Sequence, residues 1–304
     1  MNTSDTALVK ITEISSNDFF KVSRKNFQSN LVYSLKVSGM LEAPVLIKTD
    51  TGYDVFTCHN RIAILRESGV TDLEAVILTD PDVKLFIKHV SLKAYRNELG
   101  PFGKLKTLTL LNTFFKFEDS AVKEFCSKIL KLPLEIIDNK DYVNKLFEFP
   151  VTLIDYLDEK DMSFKTIKDM SLLPQEWLAL IDKWLKNIQM RVNIFRMLAE
   201  YLFDMYRRGD SIAILEPLSF SDDKALYDTV FRVRYPEFSK LKIKSESIIS
   251  ELSGGGLTID FPEYFDRGNF TLKLDVNKRT DCNMQLKKIK EIDVEKLKDL
   301  LSLL

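Results

Sequence analysis

The stretch DVFTCHNRIAIL, residues 54–65, brings together Cys58, His59 and Arg61 in a chain that holds three cysteines and two histidines in all. A strand-like alternation (YDVFT) ends here and a helical pattern (NRIAILRESG) begins, so Arg61 falls in the first turn of the expected helix. At that end the aligned peptide dipoles carry partial positive charge and disfavour cations. A cation placed among unbonded backbone N–H groups suits an anion, a phosphate above all. The sequence therefore nominates Thr57, Cys58, His59, Asn60 and Arg61 as a phosphate-binding loop. Plainer roles stay open beside that one. Arg61 could pair with Asp54 or Glu67 as a surface bridge of small worth. His59 reads equally as a ligand or as a satisfied structural histidine. Asn60 has the chemistry of a helix cap, and Cys58 that of a small apolar residue lining the loop.

The elements that must position this loop are legible around it. SLKVSGML reads as a helix closed by Gly39. APVLIK and YDVFT alternate as strands about the turn TDTG, NRIAILRESG is helical to Gly69, and LEAVIL returns as a strand. The order is helix, hairpin, loop, helix, strand, and a loop from strand end to helix start is the usual ligand position in α/β units.

From about residue 84 to 208 the pattern is helical almost throughout, punctuated at GPFG (100–103), LPLE (132–135), FP (149–150) and LLP (172–174). Residues 1–83 carry 8 Lys and Arg against 11 Asp and Glu, while residues 84–145 carry 12 against 7, the one clearly basic stretch. After Gly209 the texture changes: SGGG (253–256) is a flexible break, LTIDF and NFTLKLDV alternate as two antiparallel strands, and DVEKLKDLLSLL makes a final amphipathic helix.

Composition bounds the rest. With 304 residues and 45% apolar content, two or three domains with real cores are expected. A net charge of −1 supplies no overall field toward nucleic acid or membrane, so any basic surface is local. Three scattered cysteines point to a reducing compartment without a disulfide framework, and with two histidines they offer no zinc-ligand spacing; no metal is expected. The start of the chain has no apolar signal-peptide core and no apolar run approaches a membrane span, so a cytoplasmic protein with no membrane partner is expected.

The segment SLKVSGMLEAPVLIKTDTGYDVFTCHNRIAILRESGV resembles the N-terminal domain of the ParB/sulfiredoxin superfamily. In ParB-like proteins a serine-led helix ends in a Gly-x-Leu-x-x-Pro turn, seen here as Gly39, Leu41 and Pro44. A hairpin then leads into a Gly-x-x-Arg phosphate loop, with Cys58 in the glycine position and Arg61 in the arginine position. LKAYRNELGPFGKLKTLTLL is similar to the stretch that completes the family's nucleotide site, and the helices to about residue 208 resemble the ParB central DNA-binding domain. The resemblance implies a CTP-like nucleotide at Thr57–Arg61 and DNA as partner. The loop reads Cys58, His59, Asn60, Arg61 where ParB has glycine, an acid and two arginines, and the family's Glu-Asn-x-x-Arg element is not preserved around Lys88–Arg96. The resemblance therefore implies binding of a nucleotide rather than its hydrolysis, and no catalytic residue is assigned. Sulfiredoxin carries Gly-Cys-His-Arg at the same loop; here Asn60 intervenes before Arg61, which takes Cys58 out of the redox register.

The expected fold class is α+β. It comprises a ParB/sulfiredoxin-like α/β domain over 1–83, an all-helical middle domain with a helix-turn-helix over 84–208, and a C-terminal region, 209–304, ending in a β-β-α tail. A helix-turn-helix candidate lies at residues 119–149. Val122, Phe125, Cys126 and Ile129 give its first helix an apolar face, Pro133 marks the turn, and NKDYVNKLF forms the second helix. Asn139, Lys140, Asn144 and Lys145 lie away from Val143 and Leu146, with side chains suited to base edges and phosphates. In MSFKTIKDMSLLP, Ser163 is the expected cap, Phe164, Ile167 and Met170 face inward, and Lys165 and Lys168 share the outer face. A solvated helical hairpin is the plain alternative for both segments, and the stripe WLALIDKWL reads as core. The functional expectation is a nucleotide-gated, ParB-like DNA-binding protein for DNA partitioning or regulation, a homodimer through its tail, with a small sheet packed on its own chain as the equal alternative for that tail. The alternatives are a phosphotransfer or nuclease-type enzyme using Asp54 or Glu42 as its carboxylate, and a non-catalytic interaction protein that has lost the ligand.

Overall fold

A computed structural model of the chain describes residues 5–25, 28–216, 220–254, 256–275, 287 and 289–304. The chain divides into two compact units, residues 1–223 and 224–304.

In the first unit the strands are β1 (Asp5–Lys10), β2 (Val45–Thr49), β3 (Gly52–Val55) and β4 (Asp72–Leu78), in the sheet order β1-β4-β2-β3. The hairpin β2–β3 pairs Leu46 with Val55 and Thr49 with Gly52, as its alternation and turn anticipate. Helix α1 (Gln28–Ser38) precedes β2 and ends before Gly39; helix α2 (His59–Glu67) crosses from β3 to β4, which lies parallel to β2. Strand β1 is an addition to the expected order: it runs antiparallel to β4, with Val9 facing Leu73. Val9, Ile11, Leu46, Val55, Ile62 and Leu73 close one core beneath the loop.

The helices then follow in series: α3 (Val83–Tyr95), α4 (Pro101–Thr109), α5 (Asp119–Lys128), α6 (Leu134–Ile137), α7 (Lys140–Leu146), α8 (Val151–Glu159), α9 (Phe164–Ser171), α10 (Gln175–Asn187) and α11 (Val192–Arg208). A π-helical turn, Leu110–Phe114, extends α4. An expected boundary at 83/84 falls inside this unit for a visible reason: the Phe86 ring of α3 lies tilted at 6.1 Å from that of Phe56, which follows β3, and edge-on at 6.4 Å from that of Phe20. The expected boundary at 208/209 lies before the observed division because Arg191 grips Asp223 through its backbone N–H (3.0 Å) and guanidinium (2.8 Å), tying the segment after α11 back to the helical unit. The stripe WLALIDKWL is core as expected, with Trp177, Leu178, Leu180, Ile181 and Trp184 buried.

The second unit holds α12 (Asp223–Arg234, all but its first residue), α13 (Pro236–Leu252), strands β5 (Leu257–Asp260) and β6 (Thr271–Leu274), and α14 (Val294–Leu301). The two strands pair antiparallel, Leu257 facing Leu274. Helix α14 packs on α13, where Lys296 reaches Glu251 at 2.5 Å and Leu300 is fully buried. Gly255 of the SGGG break, Val276 at the end of the second expected strand, and Cys282 lie outside the described residues. No helix among the described residues is long and apolar enough to cross a membrane.

Candidate functional site

Strand β3 delivers Phe56 into the core, and the next two residues turn the chain into α2. Thr57 is buried, and its hydroxyl oxygen accepts the Val45 N–H at 2.9 Å. Cys58 takes φ 66°, ψ 24°, the left-handed region, and stands at the helix cap with no side-chain cap bond. A side chain with a Cβ is strained there, whereas glycine is not. The first helical bond runs from the Ile62 N–H to the Cys58 carbonyl at 3.0 Å, so the N–H groups of His59, Asn60 and Arg61 form the open end of α2. Asn60 thus lies within the helix rather than capping it: with the cap at Cys58, the helix starts at His59, two residues earlier in the chain.

All five nominated loop residues line a single cavity of ≈ 340 Å³. Leu31, Glu42 and Val45 line it as well, with Lys21, His89, Leu92, Lys93, Arg96 and Glu98. Leu92, Lys93, Arg96 and Glu98 lie in the stretch singled out as the family's completing segment; Lys21 and His89 were not anticipated. A signal for His89 existed in its rarity, since both histidines of the chain meet at this cavity. Lys21 carries no comparable mark in the sequence.

Two features of the electrostatics come from neighbours distant in sequence. Arg61 pairs with neither Asp54 nor Glu67; its Nη1 lies 3.6 Å from Glu42 Oε2 and 3.9 Å from Cys58 Sγ. His59 is not a cation. Burial pushes its imidazole down to about 3, with Lys21, His89 and Lys106 acting in the same direction and Asp18 opposing. Its Nε2 is buried and has no hydrogen-bond partner among the described residues. His89 is lowered to about 4, chiefly by burial and next by Lys93. The site therefore presents Arg61, Lys21, Lys93 and Arg96 as cations and two neutral imidazoles. Lys93 is paired with Glu98 at 2.9 Å, and Lys21 with Asp18 at 3.1 Å. Of the two carboxylates nominated for catalysis, Glu42 lines the cavity and Asp54 does not.

The nominated nucleic-acid residues lie on α7 and α9, away from this cavity's lining. Between α5 and α7 the single expected turn is instead occupied by the short helix α6, capped by Pro133. Val122 and Cys126 of α5 are buried as expected, but Ile129 is 45% exposed at the end of that helix. Asn139 accepts the Tyr142 N–H at 2.9 Å as the cap of α7, which commits its side-chain oxygen to the backbone. Lys140, Asn144 and Lys145 are exposed while Val143 and Leu146 are buried, so the helix faces the way its pattern requires. Ser163 caps α9 by accepting the Thr166 N–H, and Lys165 and Lys168 are exposed. Ser171 of α9 hydrogen-bonds the Tyr142 hydroxyl of α7 at 3.3 Å, which places the two helices side by side. Lys168 pairs with Glu135 at 3.5 Å; Lys140, Lys145 and Lys165 form no ion pair among the described residues.

No family model matches the chain, and no curated protein sequence matches it. Among solved structures, the chain is similar to the C-terminally truncated chromosome-partitioning protein ParB from Caulobacter crescentus in complex with CTP-γ-S, at 13% identity over 60% of this chain and 99% of that chain, with a TM-score of 0.26. The truncated Caulobacter crescentus ParB bound to the centromeric parS site matches at 13% identity over 64% and 98%, TM-score 0.31. A Pnob8-like ParB-N domain matches at 13% identity over 77% and 97%, TM-score 0.32. At these scores neither fold nor function rests on the matches.

Proposed function

We propose that the chain is a ParB-like DNA-binding protein whose Thr57–Arg61 loop holds the phosphates of a CTP-like nucleotide. One observation carries the reading: all five loop residues, at the open N-terminal end of α2, line a cavity together with Leu92, Lys93, Arg96 and Glu98 from the stretch that the resemblance implicates. A helix end with free N–H groups, a guanidinium and further cations around a cavity has the chemistry of a phosphate site. The exposed lysines of α7 and α9 supply the DNA face, and the tail from Leu257 to Leu304 the homodimer contact. A filled loop, the mark of a chain that has lost its ligand, is at odds with this cavity.

The test is a thermal-shift screen with CTP, ATP, GTP and pyrophosphate, with and without DNA. A nucleotide should raise the melting temperature, and Arg61→Ala should abolish the rise; a shift unchanged in that variant would sink the reading. Truncation before Gly254 should convert a dimer into a monomer on light scattering. The phosphotransfer reading keeps one point of support, Glu42 in the cavity wall. Steady release of phosphate from a bound nucleotide, lost in Glu42→Gln, would advance it.

A further inference from the structure

We propose that Glu42 is a built-in competitor for the anion that Arg61 would hold, so that ligand entry at the loop requires the Glu42 carboxylate to leave. The proposal rests on the phosphate-loop reading and adds a gate to it. Glu42 Oε2 lies 3.6 Å from Arg61 Nη1, and among the described residues it is the acid with which that guanidinium forms an ion pair. An incoming phosphate therefore meets a cation whose charge is already partly cancelled.

Backbone bonds hold the pair in place. The turn carrying Glu42 ends at Val45, whose N–H donates to Thr57 Oγ1 at 2.9 Å. The Val45 carbonyl accepts the N–H groups of Phe56 and Thr57 at 3.0 and 3.1 Å, and the Pro44 carbonyl accepts that of Val76 at 2.9 Å. These bonds tether the Glu42 turn to the loop and to β4 independently of the ion pair, so the carboxylate stays close to Arg61 after it has swung away.

The two side chains are unequally placed. The Glu42 side chain is 59% exposed and that of Arg61 26%. The pair opens by the carboxylate moving into water while the guanidinium remains in the cavity wall. The second pair on the cavity, Lys93 with Glu98, is less exposed on both sides at 21% and 27%, so the Arg61 pair is the one that yields. A half-exposed pair at 3.6 Å is weak. A phosphate group bearing two or more charges outcompetes it, whereas a singly charged anion gains little over the carboxylate already present. The gate thus selects multiply charged phosphates.

Calorimetric titration of the full chain with inorganic pyrophosphate tests this, using wild type, Glu42→Gln, Arg61→Ala and the double variant. Glu42→Gln should bind roughly two- to fivefold more tightly at low salt, with the gain shrinking at roughly 0.5 M salt. Arg61→Ala should fail to bind, and the double variant should match it, because Glu42 acts through Arg61. If Glu42→Gln binds no more tightly than wild type while Arg61→Ala fails, the gate is overturned and the phosphate loop stands. An equal gain from Glu42→Gln with and without Arg61 would also overturn it, by showing a diffuse charge effect. If none of the four proteins binds pyrophosphate, the phosphate-loop reading fails and the gate with it.

Discussion

The carboxylate of Asp158, at the end of α8, accepts the Phe102 N–H in the first turn of α4 at 2.6 Å. It also accepts the Gly103 N–H at 3.1 Å, so one buried side chain from another helix caps the start of α4. Two close backbone approaches explain the glycines of this turn, Asp158 over Gly100 and Val22 over Gly103. A Cβ on Gly100 would stand 2.3 Å from the Asp158 carbonyl oxygen, and one on Gly103 2.1 Å from that of Val22. Burial raises the Asp158 carboxyl above its ordinary range, against the lowering effect of these hydrogen bonds. Asp158→Ala leaves two buried donors unpaired and should cost about 1–3 kcal/mol. Asp158→Asn keeps the acceptor without the buried charge and should cost less than the alanine variant. Urea unfolding of the two variants decides, and equal losses would mean that the cap contributes nothing.

The left-handed conformation at Cys58 makes a prediction of opposite sign. Glycine relieves the Cβ strain at φ 66°, while its greater freedom in the unfolded chain offsets part of the gain. Cys58→Gly should therefore stabilise the protein by about 0.5–1 kcal/mol. Cys58→Ala retains the strain and should not. Chemical denaturation of the pair separates backbone strain from the loss of the thiol.

The two histidines set a pH dependence. Their folded values, about 3 for His59 and about 4 for His89, lie below the unfolded 6.5. Between these values the unfolded chain binds more protons than the folded one, so stability rises with pH through that window and falls as the solution is acidified below 6.5. By pH 5 each histidine should account for a loss on the order of 2 kcal/mol relative to neutral pH. Replacing His89 by Gln should flatten the slope of stability between pH 7 and 5, as read by urea melts at each pH. An unchanged slope would place the acid sensitivity elsewhere.

What could be read from the residues alone was local. The hairpin, the loop and α2 follow from alternation, turn chemistry and helical spacing within about thirty residues, and those signals do not depend on distant partners. Strand β1 escaped because ALVK is short and its outward-facing Leu8, 72% exposed, is apolar, so no apolar–polar alternation shows in the sequence. Helix α6 spans Leu134–Ile137, too short for a periodicity to register. The neutral state of His59 is tertiary in origin: burial strips the charge, and nothing in TCHNR announces it. The same holds for Glu42 as the partner of Arg61, since the acids nearer in sequence, Asp54 and Glu67, were the visible candidates and the fold brought the turn after α1 instead.

DNA binding by the helical region turns on exposed lysines. The basic excess of residues 84–145, 12 against 7, includes Lys140 and Lys145, which are exposed on α7 and free of ion pairs among the described residues. Each phosphate neutralised by a lysine adds about 0.9 to the salt slope of binding. Replacing Lys140 and Lys145 by Ala should therefore lower that slope by roughly two and leave any nucleotide response intact. The structure ranks the α9 lysines as well. Lys168 is already engaged by Glu135, whereas Lys165 has no ion-pair partner among the described residues, so Lys165→Ala should weaken binding more than Lys168→Ala. Filter binding to a pool of genomic fragments over a range of salt measures all three variants against the wild type. If the wild type binds no fragment at low salt, with or without CTP, the helical region is a scaffold, and the enzyme and interaction readings move ahead.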